Sequence, residues 1–287
     1  MTPGISTPLI KQGWLRAVLL YVAFSSGGLL AGIASGLFTL NPADSTAFSQ
    51  KLLNRVILAL FIFELAGMGL AIIFRRYIDR RPVKSLGFQW QPFQRDALIG
   101  FCLGLALLGT STLLLLGTHN LEYTDAHFAA ADLFTGLVLM ILIAFTEEMV
   151  FRGYILNNLM ESMNKWAALG VSAVLFTMAH GSNPGISFIA VINLFLAGLL
   201  LGINFIYTRN IWFAICFHFS WNFLQGPVLG YEVSGLPLQS VLQPALNGPW
   251  WITGGAFGVE GSFVATGLLL LALLLLYAAY EKQSELG

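Results

Sequence analysis

Long apolar runs constrain this chain more than any other feature of its sequence. A helix needs about 20 predominantly apolar residues to cross the hydrocarbon core of a bilayer. About eight such runs occur, at approximately 14–40, 56–75, 96–117, 132–157, 166–180, 186–207, 211–226 and 262–280. Only 10% of the residues are charged, compared with about 25% in an ordinary soluble domain. The sequence therefore predicts an all-α, polytopic membrane protein with about eight transmembrane helices.

The polar stretches between the runs are too short to form a second domain. The longest are 41–55, 76–95 and 225–261, so residues 1–287 are interpreted as a single integral-membrane helical domain. The first run follows Lys11 and Arg16, as the apolar part of a signal peptide would. It is longer than the roughly 7–15 apolar residues of such peptides, and we expect it to remain as the first helix.

Basic residues indicate how the chain is oriented in the membrane. Neither 118–131 nor 225–261 contains a lysine or arginine. The loop after the second run, in contrast, contains Arg75, Arg76, Arg80, Arg81, Lys84 and Arg95. Because cytoplasmic loops are enriched in these residues, we expect this loop to be cytoplasmic. With an even number of helices, both termini of this multi-pass protein are then cytoplasmic as well.

The charge balance also limits the expected partners. The formal net charge is zero, and the sequence has no long basic run interleaved with aromatic residues, so a nucleic-acid surface is not expected. The partners predicted from the composition are the lipid bilayer and membrane-associated proteins or peptides.

A few ionisable side chains lie inside the apolar runs, where a charge costs about 2.5–3.5 kcal/mol on insertion scales. The stretch TEEMVFRG contains Glu147, Glu148 and Arg152, and two later runs contain His180 and His218. Because of their cost, such groups are functional candidates by default. A further acid, Glu64 in FIFELAGMG, belongs to no recognisable motif.

Helical spacing divides the charged cluster into a pair and a single residue. Glu148 and Arg152 are four residues apart, so they share one face of a helix and can form an ion pair. Glu147 is turned by about 100° from Glu148. One carboxylate can therefore be neutralised while the other stays available.

The two histidines occur at similar spacings and depths. His218 is four residues from Asn222, and His180 is four residues from Phe176. At about 1.5 Å per residue, Glu147, His180 and His218 lie roughly 13–23 Å from the expected cytoplasmic ends of their helices. We expect these three side chains to share one site that opens toward the cytoplasm.

The chemistry that this set of residues favours is hydrolysis. A buried carboxylate such as Glu147 can take a proton from water and later return it. His180 can help to hold or deprotonate that water, while His218 and Asn222 can donate hydrogen bonds to the oxyanion of a tetrahedral intermediate. Glu147, His180 and His218 are also the ligand types of a catalytic zinc site. The HExxH helix typical of zinc proteases is absent from the sequence, so this reasoning leaves the metal open.

At these residues the sequence resembles the CAAX protease and bacteriocin-processing family of intramembrane endopeptidases. The family has three signatures, EExxxR, FxxxH and HxxxN. Here they are Glu147-Glu148-Met-Val-Phe-Arg152, Phe176-Thr-Met-Ala-His180 and His218-Phe-Ser-Trp-Asn222. All three occur in order, each in a predicted transmembrane helix, and the resemblance covers a core at about 130–226.

The resemblance implies helices that enclose a cavity in the membrane. It also implies an enzyme that cleaves a peptide bond near the C-terminus or leader of a membrane-associated substrate. In this family the substrate can be prenylated. It implies Glu147 as the principal base and His180 as its partner. The remaining implied roles are oxyanion stabilisation by His218 and Asn222 and support by Glu148 and Arg152. The family is described both as metalloproteases and as metal-free glutamate proteases. The stretch GGAFGVEGS at 254–262 is similar to a segment of bacterial members. The expected location is a bacterial plasma membrane.

Structural roles are the alternatives for individual residues. Glu148 and Arg152 can be a buried pair that fixes helix packing, although this leaves Glu147 without a partner. His180 precedes GSNPG and can cap a helix, and His218 with Asn222 can form ordinary interhelical hydrogen bonds. Asn193, in VINLFLAGLLLG, is assigned first to packing and second to substrate contact.

Two other functions are consistent with the same residues. Paired intramembrane acids and histidines also form proton relays in transporters, but the chain has no detectable repeat of the kind that many transporters contain. A non-catalytic scaffold that stabilises a membrane partner is the third possibility. Loss of a signature residue would favour a scaffold, and here all of them are present.

Overall fold

The computed structural model describes residues 7–36 and 50–286, and it confirms a predominantly helical fold. Each predicted run corresponds to a helix, although positions 37–40 of the first run lie outside the described residues. The long helices are α1 (Gly13–Ser35), α2 (Gln50–Ile73), α3 (Gln94–Gly117), α4 (Ala130–Glu148), α6 (Lys165–Ala179), α7 (Phe188–Thr208), α8 (Trp212–Phe223) and α10 (Phe263–Leu286). Short helices are α5 (Asn157–Leu159) and α9 (Trp250–Thr253).

Six helical segments among the described residues are long and apolar enough to cross a membrane. They contain α1, α2, α3, α4 with its continuation to Leu159, α7 and α10. The other two predicted spans correspond to α6, with 15 residues, and α8, with 12 residues. At about 1.5 Å per residue these two are shorter than a hydrocarbon core of about 30 Å. The chain is thus an integral multi-pass membrane protein, and the count of eight spans stays a prediction.

Successive long helices run in opposite directions, so the bundle has two distinct ends. One end, here called the basic face, contains the start of α1, the loop between α2 and α3, the end of α4, the turn between α7 and α8, and the end of α10. Hydrogen bonds tie these segments together: Leu9 to Ile78 through the backbone, and the Arg209 side chain to Asn157 at 3.1 Å. Both ends of the described chain therefore lie at the basic face.

The opposite face carries a small sheet that the sequence analysis does not anticipate. Strands β1 (Leu121–Ala126) and β2 (Leu242–Leu246) pair antiparallel, with Leu121 opposite Leu246. They come from two stretches, before α4 and after α8, that were predicted only as polar connections. The sheet joins these connections over one end of the bundle.

A pair of glycines places α8 against α3. Gly100 and Gly104 are four residues apart and face the backbone of α8, in the small-xxx-small pattern that allows membrane helices to approach closely. A Cβ atom at Gly100 would lie 2.2 Å from the carbonyl oxygen of Phe213, and one at Gly104 would lie 2.2 Å from the hydroxyl of Ser220. Since α8 also packs on α4, this contact helps to set the position of His218.

A single carboxylate organises the basic face. Asp79 is fully buried and accepts hydrogen bonds from Arg16 at 2.9 Å, Arg75 at 2.7 Å, the Tyr154 hydroxyl at 2.9 Å and Asn158 at 3.3 Å. These partners belong to α1, to the π-helical turn Phe74–Ile78 that follows α2, and to the continuation of α4. Asp79 thereby links three segments at this end of the bundle.

We expect Asp79→Ala to destabilise the protein strongly, because it leaves two buried guanidinium groups without this partner. Breaking a buried ion pair costs about 3–5 kcal/mol. Thermal unfolding in detergent measures the change. Glu161→Ala is the matched control, since the Glu161 side chain is 30% exposed and also pairs with Arg16; a loss from Asp79→Ala no greater than that of the control would contradict the role of Asp79.

Candidate active site

The three signature segments meet in the interior of the bundle. Glu147 and Glu148 end α4, and the chain continues as a π-helical stretch, Met149–Leu156, whose residues are all buried. Such π-helical stretches occur frequently at functional sites. His180 follows directly after α6, and α8 contributes His218 and Asn222.

Glu148 is the centre of a buried charged cluster. Its Oε1 atom accepts hydrogen bonds from Arg152 at 2.9 Å and from Nδ1 of His218 at 2.9 Å, and its side chain has no exposed surface. The i,i+4 pair predicted from the sequence is therefore formed. Because a carboxylate oxygen only accepts, Nδ1 of His218 carries the proton, and the Nε2 atom remains available for another group.

Arg152 is held by more than its ion pair. Its second terminal nitrogen donates to the backbone oxygen of Gly198 at 3.2 Å, and its guanidinium lies 4.5 Å from the centre of the Phe176 ring. A cation over an aromatic face is favourable, and more so when both are removed from water. This contact gives a physical reason for the phenylalanine of the FxxxH signature.

Glu147 differs from its neighbour in accepting no side-chain hydrogen bond from the described residues, and its Oε2 atom is buried without a partner. This atom lies 3.9 Å from Nε2 of His180, which is too long for a direct hydrogen bond. Nδ1 of His180 is 2.9 Å from the carbonyl oxygen of Phe176. Since a carbonyl only accepts, Nδ1 carries a proton, and Nε2 presents a lone pair toward Glu147 when the ring is neutral.

The bond from His180 to Phe176 also tests the capping alternative. His180 is the C-cap residue of α6, and its ring satisfies a carbonyl of the last helical turn. It therefore caps the helix. The same bond orients the ring toward Glu147, so that capping and a role in the site are compatible.

A cavity of about 270 Å³ lies beside these residues. Glu147, His180, His218 and Asn222 all line it. The side-chain amide of Asn222 makes no hydrogen bond with any residue in the described ranges, and only 6% of the residue is exposed. Donor and acceptor groups of the amide are thus available to a molecule in the cavity.

Glu260 is a cavity residue to which the sequence analysis gave no role. It accepts hydrogen bonds from the Ser234 backbone at 2.8 Å, the Ser234 hydroxyl at 2.8 Å and the Trp221 indole at 3.2 Å. Burial raises the pKa of Glu260, while the hydrogen bond from Ser234 and the nearby His180 act in the opposite direction. The only sequence signal for this residue is the stretch GGAFGVEGS, because the residues that surround it come from distant segments.

Glu64 and Asn193 both line the cavity, but they differ in their hydrogen bonds. Glu64 lines the cavity, is 2% exposed and has no hydrogen-bond partner at Oε2 among the described residues. Asn193 donates to the backbone oxygens of Glu260 and Ser262 and accepts from Thr266 at 2.7 Å. The Asn193 amide is thereby engaged in joining α7 to the start of α10, which agrees with the packing assignment.

The side to which the cavity opens differs from the expectation. The lining residues Ser35, Val56, Ser182 and Ser234 all belong to the end opposite the basic face, and of these four Ser182 is exposed. The loop between α2 and α3, within the described part of the chain, contributes no lining residue. The expected opening toward the end with the basic loop is therefore wrong. Depth estimated from helix length does not show which end is closed by side-chain packing.

The predicted metal ligands do not fit a metal ion in the positions they occupy. In the described ranges, no group of three His, Cys, Asp or Glu side chains is placed to hold one.

The comparison with protein families supports the sequence resemblance. Residues 129–224 match the family described as Type II CAAX prenyl endopeptidase Rce1-like, and this segment includes all three signatures. The resemblance to the CAAX protease group is thus confirmed for this part of the chain. No curated protein matches the sequence.

We expect the two adjacent glutamates to differ in their contribution to stability. Glu148→Ala leaves Arg152 and His218 without their shared acceptor, and loss of one member of a buried pair costs about 3–5 kcal/mol. Glu147→Ala removes no hydrogen bond at Oε2 and is expected to change the unfolding temperature little. Thermal unfolding of both variants in the same detergent tests this, and an equal loss would show that Glu147 is also part of the structural pair.

Proposed function

We propose that this protein is an intramembrane endopeptidase that hydrolyses a peptide bond near the C-terminus or leader of a membrane-associated protein or peptide. The observation that carries the proposal is the arrangement of Glu147 and His180. The unpartnered Oε2 of Glu147 and the lone pair on Nε2 of His180 are 3.9 Å apart at the wall of the cavity. A water molecule that donates one hydrogen to each would lie about 2.8 Å from both.

Glu147 acts as the general base in this mechanism. It removes a proton from the water while the oxygen attacks the carbonyl carbon of the peptide bond, with His180 fixing the direction of the water. The carbonyl oxygen becomes an oxyanion. When the C–N bond breaks, the proton held by Glu147 passes to the leaving amine, so that the carboxylate is regenerated.

His218 and Asn222 stabilise the oxyanion. The amide of Asn222 has a free donor, and Nε2 of His218 donates when the ring is an imidazolium. Glu148 supports that protonated form through its hydrogen bond to Nδ1, and Arg152 holds Glu148 in place. Glu148 and Arg152 are accordingly positioning residues.

Replacement of Glu147 by Gln is expected to abolish cleavage without unfolding the protein, because the amide cannot accept the proton from water. The measurement is the appearance of products, by mass spectrometry, from a library of lipidated and unlipidated peptides with purified protein in detergent. Glu122→Gln, an exposed position in β1, is the matched control and should cleave at the wild-type rate. Cleavage by Glu147→Gln at that rate would exclude Glu147 as the base.

Replacement of Asn222 by Ala is expected to lower kcat by about 10²–10³-fold, the usual effect of removing one oxyanion donor. KM should change much less, because the hydrogen bond strengthens as the oxyanion forms. Steady-state kinetics on the peptide cleaved fastest gives both constants. A rise in KM with unchanged kcat would instead assign Asn222 to substrate binding.

A further inference from the structure

The cavity contains acidic side chains without lysines or arginines to balance them. Glu64, Glu147 and Glu260 line it, whereas none of its lining residues in the described ranges is a lysine or an arginine. The neighbouring buried acid, Glu148, does not add to this excess, because it pairs with Arg152. Uncompensated charge is costly in the interior of a membrane protein. The lining therefore favours a ligand that brings positive charge.

Both histidines of the lining are directed at acids other than Glu64. Nδ1 of His218 is hydrogen-bonded to Glu148. His180 lies 3.9 Å from Glu147 and also interacts electrostatically with Glu260. Glu64 is thus the acid of the lining that has no ion-pair partner within the described part of the chain.

Glu64 also differs from Glu260 in its hydrogen bonds. Glu260 accepts bonds at both carboxylate oxygens, from Ser234 and from Trp221. Oε2 of Glu64 is buried without a partner among the described residues, and the whole residue is only 2% exposed. A buried polar atom that stays unpaired is unfavourable. The Glu64 carboxyl group is therefore available to a hydrogen-bond donor that occupies the cavity.

The contact between α2 and α4 places Glu64 beside the proposed general base. The hydroxyl of Thr146, the residue before Glu147, donates to the backbone oxygen of Glu64 at 3.1 Å. One turn further along α2, a Cβ atom at Gly67 would lie 3.0 Å from Cγ2 of Thr146, so the two helices are closely packed here. The carboxyl groups of Glu64 and Glu147 are near enough to interact electrostatically. A group bound by Glu64 is accordingly close to the bond that Glu147 would hydrolyse.

A cationic donor fits this position better than a neutral one. Two carboxylates in a cavity of low dielectric constant repel each other, and a positive charge beside them offsets the repulsion. A neutral amide or hydroxyl could pair with Oε2 of Glu64 but would leave the repulsion from Glu147 in place. Ammonium and guanidinium groups also form stronger hydrogen bonds with a carboxylate than neutral donors do.

We propose that Glu64 binds a basic side chain of the substrate, a lysine or an arginine, next to the scissile peptide bond and thereby determines specificity. Leu60 lies one turn from Glu64 on α2 and also lines the cavity, so the methylene groups of such a side chain can pack on it. A substrate without the basic group leaves the buried carboxyl unpaired, and sites of this kind reject such analogues. The position relative to the scissile bond rests on the proposed function, whereas binding by Glu64 does not.

Binding of uncleavable peptides tests the subsite without any assay of activity. The probes are fluorescein-labelled Leu-Leu-X-Leu-Leu amides, N-methylated at the bonds on both sides of X, where X is lysine, arginine, norleucine or glutamate. By fluorescence anisotropy, wild-type protein should bind the lysine and arginine probes about 10-fold or more tightly than the norleucine probe, as expected for a hydrogen bond between charged groups. The glutamate probe should bind most weakly. Glu64→Gln should remove this preference.

Glu260→Gln is the matched variant, because it removes one acid from the same cavity at a position where both oxygens are already bonded. It should retain the preference for basic probes. Equal affinity of wild-type protein for lysine and norleucine probes, or no binding of either basic probe, would overturn the proposal. An equal loss of preference in both variants would show that overall charge, and not Glu64, recognises the basic group. Thermal unfolding verifies that both variants are folded.

Cleavage of the same peptides without N-methylation separates the subsite from the chemistry. Wild-type kcat/KM should be higher with lysine or arginine than with norleucine, and Glu64→Gln should lower it for the basic peptides mainly through KM. Cleavage of the norleucine peptide at the same kcat/KM as the lysine peptide would leave the hydrolase in place and exclude the specificity. If the basic probes bind through Glu64 but no peptide is cleaved, the proposed function fails and the binding site stands.

Discussion

The carboxylate of Glu148 is the interaction on which the interior of this protein depends. It is fully buried and is shared by Arg152 and His218, so it joins the end of α4 to α8 where no water can replace a lost partner. Arg152 extends the same network to α7 through Gly198 and to the end of α6 through Phe176. Four helices that carry the site are thus connected to one charge. An isolated charge would be costly at this depth, and the cost keeps these partners together.

The contrast between Glu147 and Glu148 follows from their positions on the helix. Adjacent residues point about 100° apart, so one faces the cation on its own helix and the other faces the cavity. The paired carboxylate accepts two charge-assisted hydrogen bonds at Oε1, and its ion pair with Arg152 favours the charged form. Its neighbour has an unpartnered oxygen beside a histidine whose tautomer is fixed by a backbone carbonyl. The two residues can therefore divide support and proton transfer between them.

Local features of the structure could be predicted from the sequence, and non-local features could not. The apolar runs indicate the helices, and the spacing of Glu148 and Arg152 predicts their ion pair, because both depend only on the period of a helix. The β1–β2 sheet pairs segments that are more than a hundred residues apart in the sequence. The environment of Glu260 is formed by residues several tens of positions away. Their residues carry no periodic signal. The wrong expectation for the opening has the same origin, since the helical period does not show which end of the bundle is sealed.

Different contacts hold α1 at the two ends of the bundle. At the basic face, Asp79 joins α1, the end of α2 and the continuation of α4. Toward the opposite face, α1 packs on α2, and within the described ranges it makes at most marginal contact with α6. On the side that faces α6, the described part of α1 is therefore held mainly at the basic face, through the ion pair of Arg16 with Asp79.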